Sequence, residues 1–551
     1  MHDMASPARR TAVLLLFCFL LAAVLAQEDP VVELDYGSFQ GRYNADYNIS
    51  YFRKIPFAAS TAGENRFRAP QPPLPLANGT TYDTDQSFDM CPQRTVNGSE
   101  DCLYLGLYSR PWTPPSPLRP VLVVFYGGGF IQGSASFSVP PPMYPVLNAS
   151  RALDDFVVVY PNYRTNAFGF LPGAAVKASP TADLNPGLLD QRAALRWVQA
   201  NIRAFGGDPA AVTIQGQSAG GGSVIAQAIA HGDRDERLFS RALPGSPFWP
   251  KTYAYDAPEA EALYAELAAR VGCASSSSNQ TDAASLACLK AADVQAIRDA
   301  SLAISALNKD TTSSFNWAPV VDGDFIRAPL SAVGGLDGAQ VVWSTFNTHE
   351  GENFVPAGLG QSDVAGSDAN INGFNSSEAG FDLWLRGYLP RFSDAQLEDV
   401  KRLYPARGGA EEAAWNTTTV RAGMVFRDSV LACPGLWLAE AAGETKKKGY
   451  LSEYTISPAK HGSDTQFWNQ VNAVQKSQPV TYKGLAGAMA SFFQTGDPNA
   501  HKLTDDSQAG VPELSTGEEW VVKPESFEKT DIGQLKTRCT FWRQNAEDIP
   551  L

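Results

Sequence analysis

Residues Thr213 to Gly222 read T-I-Q-G-Q-S-A-G-G-G and place Ser218 between two glycines. A short apolar, β-branched run from Ala211 to Ile214 comes before the serine, and a run typical of a helix, Ser223 to Ala230, follows it. Because G-x-S-x-G arises by chance in a chain of this length with a probability of roughly 0.2, its context must decide its meaning. A strand, a sharp glycine-flanked turn and a helix are typical of a nucleophile elbow. The segment therefore predicts that Ser218 is a nucleophile.

The candidate nucleophile needs a histidine as general base and a carboxylate that orients the histidine. The elbow is typical of α/β-hydrolases, in which the chain order is serine, acid and then histidine, so the base should follow Ser218 at a distance. His461 follows a strand-like run over residues 449–456 and precedes a glycine, which predicts a loop beyond a sheet edge. We expect His461 to be the base, with His501 as the alternative.

The candidate acid lies at the end of another predicted strand. Residues Val341 to Phe346 form an apolar, β-type run, and the loop that follows contains Glu350 before a glycine. Loops at the carboxyl ends of parallel strands are where open α/β sheets gather functional groups. We expect Glu350 to be the acid; the alternatives are Glu352, Asp322 and Asp324.

A glycine-rich loop lies upstream of the elbow. The fully apolar run Val121 to Phe125 predicts a buried parallel strand, and it leads into Tyr-Gly-Gly-Gly-Phe at residues 126–130. Such a loop could cradle a phosphate, but no lysine follows it as in a P-loop. Because acyl transfer needs N–H donors for a developing oxyanion, an oxyanion hole is the favoured interpretation.

The first 26 residues are predicted to be a secretory signal peptide. Arg9 and Arg10 precede an apolar run from Ala12 to Leu25, and Val24-Leu25-Ala26 offers a cleavage point, so we expect cleavage after Ala26. The apolar run is shorter than the ~20 residues of a membrane span, so a membrane anchor is the less favoured alternative. We expect a secreted protein in which residues 27–551 form one much-inserted domain.

The net charge and the number of cysteines indicate which partners, cofactors and disulfides to expect. The formal net charge is −14, or −15 without the signal peptide, whose Asp3, Arg9 and Arg10 sum to +1. With no basic stripe, nucleic acid is not an expected partner. Six cysteines remain after loss of Cys18, and an even number in a secreted chain predicts three disulfides, although spacing leaves fifteen pairings open. No zinc-binding spacing occurs, and we expect neither metal nor cofactor.

Glycosylation sequons begin at Asn48, Asn78, Asn97, Asn148, Asn279, Asn375 and Asn416.

Taken together, these motifs resemble the type-B carboxylesterase and cholinesterase family, in its secreted, fungal-type carboxylesterase and lipase branch. The match covers nearly the whole chain after the signal peptide and is carried by segments in the family's order. Besides the elbow and residues 126–130, these segments are R-F-R-A-P (66–70), S-E-D-C-L-Y-L (99–105), N-Y-R (162–164), A-F-G-F-L (167–171), G-L-L-D-Q-R (187–192) and F-G-G-D-P (205–209).

The resemblance implies a fold, an active site and a disulfide pattern. The fold is the α/β-hydrolase fold, with a large, mostly parallel central sheet flanked by helices and with insertions. The implied triad is Ser218, Glu350 and His461, and the implied oxyanion hole uses the N–H groups of Gly128, Gly129 and Ala219. The implied disulfides are Cys91–Cys102, Cys273–Cys288 and Cys433–Cys539, and the implied structural ion pairs are Arg66–Glu100 and Arg164–Asp190.

Departures from the family pattern bear on the substrate. Gln217 stands where the family usually has glutamate, Pro244 where a serine often supports the acid, and Gly106 where a polar residue is usual. The loop between Cys91 and Cys102 has ten residues and no tryptophan to bind a choline cation, and it is too short and polar for a lipase lid. We expect a serine carboxylesterase that hydrolyses soluble, uncharged, short- to medium-chain esters through an acyl-enzyme intermediate, without interfacial activation. The alternatives are a triacylglycerol lipase or cholinesterase of the same family and, from another class, a catalytically dead cholinesterase-like adhesion protein.

Overall fold

A computed structural model describes most of the chain after residue 27. The described residues are 28–77, 79–150, 155–231, 236–274, 283–306, 313, 315–333, 336, 339–360, 373–444 and 448–551. The predicted signal peptide over residues 1–26 and the sequons at Asn78 and Asn279 lie outside them.

The strands are numbered in chain order. They are β1 (Val31–Leu34), β2 (Gly37–Gln40), β3 (Arg42–Asn44), β4 (Ile49–Pro56), β5 (Thr81–Asp83), β6 (Tyr104–Ser109), β7 (Arg119–Phe125), β8 (Val157–Pro161), β9 (Gly207–Gln217), β10 (Arg241–Gly245), β11 (Val341–Asn347), β12 (Gly408–Ala410), β13 (Ala413–Trp415), β14 (Lys448–Tyr454), β15 (Glu518–Lys523) and β16 (Ser526–Asp531).

The helices are numbered in the same way. They are α1 (Tyr144–Ala149), α2 (Asn166–Phe170), α3 (Ala174–Lys177), α4 (Pro186–Asn201), α5 (Ala219–Ala228), α6 (Pro258–Val271), α7 (Ala283–Ala291), α8 (Val294–Ala306), α9 (Glu378–Tyr388), α10 (Asp394–Leu403), α11 (Thr418–Arg427), α12 (Cys433–Glu444), α13 (Thr465–Trp468), α14 (Val474–Ser477), α15 (Pro479–Thr495) and α16 (Gly533–Gln544). A π-helical turn, Asp428–Ala432, joins α11 to α12, and short 3₁₀ helices span Gly63–Asn65, Ile202–Phe205, Leu330–Ala332, Glu350–Asn353, Ala357–Gly360 and Leu514–Thr516.

The central sheet has eleven strands in the order β16-β15-β14-β11-β10-β9-β7-β8-β6-β4-β3. The seven strands from β15 to β8 run parallel, and antiparallel pairs complete both ends of the sheet. The prediction of an α/β-hydrolase fold with a mostly parallel sheet flanked by helices is confirmed.

Both faces of strand β7 are covered by core residues, which explains why its sequence is continuously apolar. Val121, Val123 and Phe125 belong to one apolar core, whereas Leu122 and Val124 belong to a second. Because alternate side chains of a strand point to opposite faces, both faces of the sheet are buried here. Helix α5 packs on β9 and β10, and α12 packs on β11 and β14.

The register of the parallel strands brings their carboxyl ends to one edge of the sheet. Phe125 pairs with Gly216, Gly245 pairs with both Gln217 and Thr345, and Asn347 pairs with Tyr454. The loops that leave these strands carry the glycine-rich segment, Ser218, Glu350 and His461. Segments up to about 330 residues apart in sequence therefore meet at this edge.

Candidate active site

Ser218 occupies a strained turn between β9 and α5. Its backbone has φ 62° and ψ −127°, a region that residues other than glycine rarely adopt. A Cβ at Gly216 would lie 2.3 Å from the backbone of Gly220, and one at Gly220 would lie 2.1 Å from the Phe125 carbonyl oxygen. Both glycines are therefore required for this close approach. Helix α5 begins at Ala219, directly after the serine and four residues earlier than the apolar pattern predicted.

Glu350 and His461 form a hydrogen-bonded pair above the same sheet edge. The imidazole Nδ1 lies 2.9 Å from Glu350 Oε2, the carboxylate is fully buried, and 13% of the His461 side chain is exposed. Glu350 Oε1 has no hydrogen-bond partner among the described residues. The pair matches the acid–base arrangement that orients a general base.

The alternative acids and bases have other partners. His349 Nδ1 lies 2.9 Å from Glu352 Oε1, and Asp322 accepts a hydrogen bond from the Asn185 side chain at 2.7 Å. The Asp324 side chain is 64% exposed. His501 uses its backbone N–H to donate to Ser491 Oγ at 3.0 Å. Among these candidates, the pairing of Glu350 with His461 is the one that lies beside the elbow.

The neutral residue before the nucleophile contacts the histidine. Gln217 Nε2 lies 3.3 Å from His461 Nε2. The Ser218 hydroxyl makes no hydrogen bond to any described residue. Since an amide nitrogen can only donate, the Gln217 contact requires a lone pair on Nε2, and the ring proton is then on Nδ1, toward Glu350. Catalytic hydrogen bonds are often long in unliganded enzymes and form when substrate binds.

Three backbone N–H groups in the segments next to the serine have no hydrogen-bond partner among the described residues. Gly128 and Gly129 have φ values of 122° and 64°, and a Cβ at Gly127 would lie 3.0 Å from Ser218 Cβ. The N–H groups of Gly128, Gly129 and Ala219 donate to no other described residue. Ala219 also begins a ten-residue helix, whose N-terminal dipole favours negative charge. These donors are suited to stabilising an oxyanion.

A wall of phenylalanine rings flanks the histidine. The ring of Phe354 lies 5.0 Å from the imidazole and 4.9 Å from Phe426, and Phe248 lies 4.6 Å from Phe315. Phe315 is also 3.5 Å from the position a Cβ would take at Gly129. Sequence reasoning did not identify this wall, because its members come from separate segments with no shared period. The position of Phe354, four residues after Glu350, was the available signal.

A second buried carboxyl group lies near the acid. Asp464 accepts hydrogen bonds from Asn347 at 3.1 Å and from the Trp468 indole at 2.9 Å. Burial raises the pKa of Asp464, and the negative charge of Glu350 adds to that effect. Within the described part of the chain, no three histidine, cysteine, aspartate or glutamate side chains converge in a way that could hold a metal ion.

The cysteines and the two charged pairs hold the surrounding loops. Disulfides join Cys91 to Cys102, Cys273 to Cys288 and Cys433 to Cys539, the pairs that the resemblance implies. Arg66 contacts Glu100 at 2.6 Å and Arg164 contacts Asp190 at 2.7 Å, with all four side chains largely or fully buried. None of the described helices has both the length and the apolar character needed to cross a membrane.

Known proteins resemble this chain in both sequence and structure. A family model described as the carboxylesterase family matches residues 28–542. A cholinesterase of Mus musculus is 28% identical over 578 residues, covering 96% of this chain and 89% of the mouse protein. The crystal structure of EstA from Aspergillus niger matches with a TM-score of 0.78 at 25% identity, covering 95% of this chain and 99% of the other. The chain belongs to the carboxylesterase family and is a carboxylic ester hydrolase.

Proposed function

We propose that this chain is a secreted serine carboxylesterase that works through an acyl-enzyme intermediate. The observation that carries the proposal is the 2.9 Å contact between His461 Nδ1 and Glu350 Oε2, beside a serine held at a positive φ. This arrangement leaves Nε2 of the imidazole on the side of the elbow, where it can accept a proton.

In the proposed reaction, Ser218 Oγ attacks the ester carbonyl carbon while His461 Nε2 takes the hydroxyl proton. For this transfer, Nε2 exchanges its contact with Gln217 for one with Ser218 Oγ when substrate binds. The carbonyl oxygen becomes an oxyanion that accepts hydrogen bonds from Gly128, Gly129 and Ala219 N–H. His461 then protonates the leaving alcohol. Water attacks the acyl-enzyme by the same route, which releases the acid and restores the serine.

The proposed substrates are uncharged esters with short to medium acyl chains. Gln217 carries no charge that would attract a cationic alcohol, and the Cys91–Cys102 loop offers no tryptophan for a cation–π contact. The same short loop provides no apolar flap that an oil surface could open. The phenylalanine wall beside His461 supplies apolar surface for the acyl or alcohol group.

We also propose that residues 27–551 form one domain that is exported after cleavage at Ala26. The three disulfides are compatible with an oxidising compartment. The sequon asparagines Asn48, Asn97 and Asn416 are exposed and are the proposed glycosylation sites, whereas Asn148 and Asn375 are half-buried.

The roles of Ser218 and His461 are tested by alanine variants. Since triad residues act as a unit, Ser218→Ala and His461→Ala should each lower turnover by a factor on the order of 10⁶. His501→Ala is the matched control and should keep wild-type turnover. A Ser218→Ala protein with a wild-type circular dichroism spectrum and more than about a hundredth of wild-type turnover would contradict the proposal. Failure of an organophosphate to label wild-type Ser218 would instead favour the adhesion protein.

A further inference from the structure

The carboxylate of Glu350 is held by a hydrogen bond at only one of its two oxygens. Oε2 contacts His461, whereas Oε1 has no hydrogen-bond partner among the described residues, although the side chain is fully buried. No second contact of this kind fixes the plane of the carboxylate relative to the imidazole. The position of Glu350 therefore depends on how firmly the loop that carries it is held.

Thr348, two residues before Glu350, anchors this loop through all three of its polar groups. Its hydroxyl donates to Glu453 Oε1 at 2.7 Å, and its carbonyl oxygen accepts from Arg427 Nη1 at 3.2 Å. Its backbone N–H donates to the Tyr454 carbonyl oxygen at 3.1 Å. Because Thr348 is only 2% exposed, these hydrogen bonds lie in a region of low dielectric, where they are stronger than in water.

The two side chains that bind Thr348 are themselves fixed by the fold. Arg427, the last residue of α11, is buried and donates to Asp428 Oδ1 at 2.8 Å. Asp428 in turn accepts from Arg538 of α16 at 2.6 Å. Glu453 is a fully buried residue of β14, and its Oε1 lies 3.8 Å from Arg427 Nη1. We call Arg427 and Glu453 the buried bracket.

The chain on the other side of Glu350 packs directly against the same helix. Gly351 leaves no room for a Cβ against the Gly423 carbonyl oxygen of α11. Gly423 and Arg427 lie four residues apart on this helix, which is about one turn. Helix α11 therefore contacts the backbone both before and after the acid.

We propose that Thr348 is a positioning residue that holds Glu350 against His461. It does so through its hydrogen bonds to the buried bracket, and it acts only through Glu350, taking no part in the proton transfers. The proposal rests on the proposed function, since it concerns the orientation of the base in that reaction. Orientation matters because a misplacement of 1 Å that starts away from the reacting atoms can lower turnover by roughly 10²-fold.

The first test removes the hydroxyl in Thr348→Val, which keeps the branched shape of the side chain. For a neutral butyrate ester, kcat should fall by roughly 10- to 100-fold. KM should stay within about threefold of the wild-type value, because acylation and deacylation use the same His461. The value of kcat is calculated per Ser218 labelled by an organophosphate, so that unfolded protein does not count.

Two matched variants separate positioning from a loss of packing or stability. Thr348→Ser keeps the hydroxyl and should have a kcat within about threefold of the wild type. Thr213→Val makes the same change at a buried hydroxyl of β9 that has no hydrogen-bond partner among the described residues, and it should also keep kcat. A Thr348→Val enzyme that loses thermal stability while its kcat stays within about threefold of the wild type would overturn the proposal.

The second test approaches the same hydrogen bond from Glu453. Glu453→Gln keeps an acceptor for the Thr348 hydroxyl and should preserve kcat, whereas Glu453→Leu removes the acceptor and should lower kcat as Thr348→Val does. Since both changes break one contact, the double variant of Thr348→Val and Glu453→Leu should be no slower than the slower single variant. Losses that multiply would show two independent effects and would overturn the shared contact. Failure of the proposed reaction is a separate result, because it would appear as turnover in Ser218→Ala.

Discussion

Gln217→Glu should move the acid limb of the activity profile to higher pH. In the wild type, the neutral Gln217 amide lies 3.3 Å from His461 Nε2 and donates to it. A carboxylate at the same place cannot donate, and it stabilises the imidazolium, which cannot act as a base. The variant should therefore need a higher pH to reach its maximal kcat/KM.

The size of this shift follows from the distance between the two side chains. Opposite unit charges 3.3 Å apart attract by about 5 kcal/mol at an effective dielectric of 20. Both residues are half-buried, so solvent and rearrangement of the side chains reduce the effect to about 1.5–3 kcal/mol. At 1.36 kcal/mol for each pH unit, the limb should move upward by about 1–2 units.

The assay is kcat/KM for a neutral butyrate ester between about pH 5 and about pH 10. Gln217→Met keeps the side-chain length without charge and separates loss of the amide from gain of the carboxylate. Gln86→Glu adds the same charge at an exposed position and should leave the limb in place. A limb that moves by less than about 0.3 units in Gln217→Glu would refute the contact as the origin of the effect.

Further outcomes are expected for substrate preference, for the pH dependence of stability and for one disulfide. A neutral butyrate ester and butyrylcholine should have kcat/KM values within about tenfold of each other, and a larger preference for butyrylcholine would favour a cholinesterase. A short triglyceride should show no jump in hydrolysis rate at its solubility limit, and such a jump would favour a lipase. Burial raises the pKa of Glu453 to about 7, so the stability from its neutral form is present below about pH 4.5 and is lost as the pH rises through about 7. In urea unfolding, Glu453→Gln should therefore match the wild type at low pH and exceed it by about 1–3 kcal/mol at pH 8, and a difference independent of pH would contradict this. Cys433→Ser should lower the free energy of unfolding by about 2–5 kcal/mol, because the Cys433–Cys539 disulfide closes a loop with a sequence separation of 106 residues. A free thiol at Cys539 in the wild type would show that this disulfide does not form.

The sequence alone was sufficient for the local features of this protein. The strand, turn and helix around Ser218 follow from β-branched residues, two glycines and an apolar helical run that lie within about 20 residues of one another. The buried strand β7 follows from an uninterrupted apolar run, because only a strand covered on both faces carries such a run in a parallel sheet. The family resemblance supplied the overall fold and the disulfide pairing, which spacing by itself left open.

The tertiary structure decided which distant groups meet. Only the parallel register of β9, β10, β11 and β14 brings Glu350 and His461 together, since 110 residues lie between them in the chain. The same holds for the contact of Gln217 with His461 and for the phenylalanine wall. The proximity and burial of these side chains depend on packing between segments that are distant in the chain. A local sequence pattern therefore predicts neither of them.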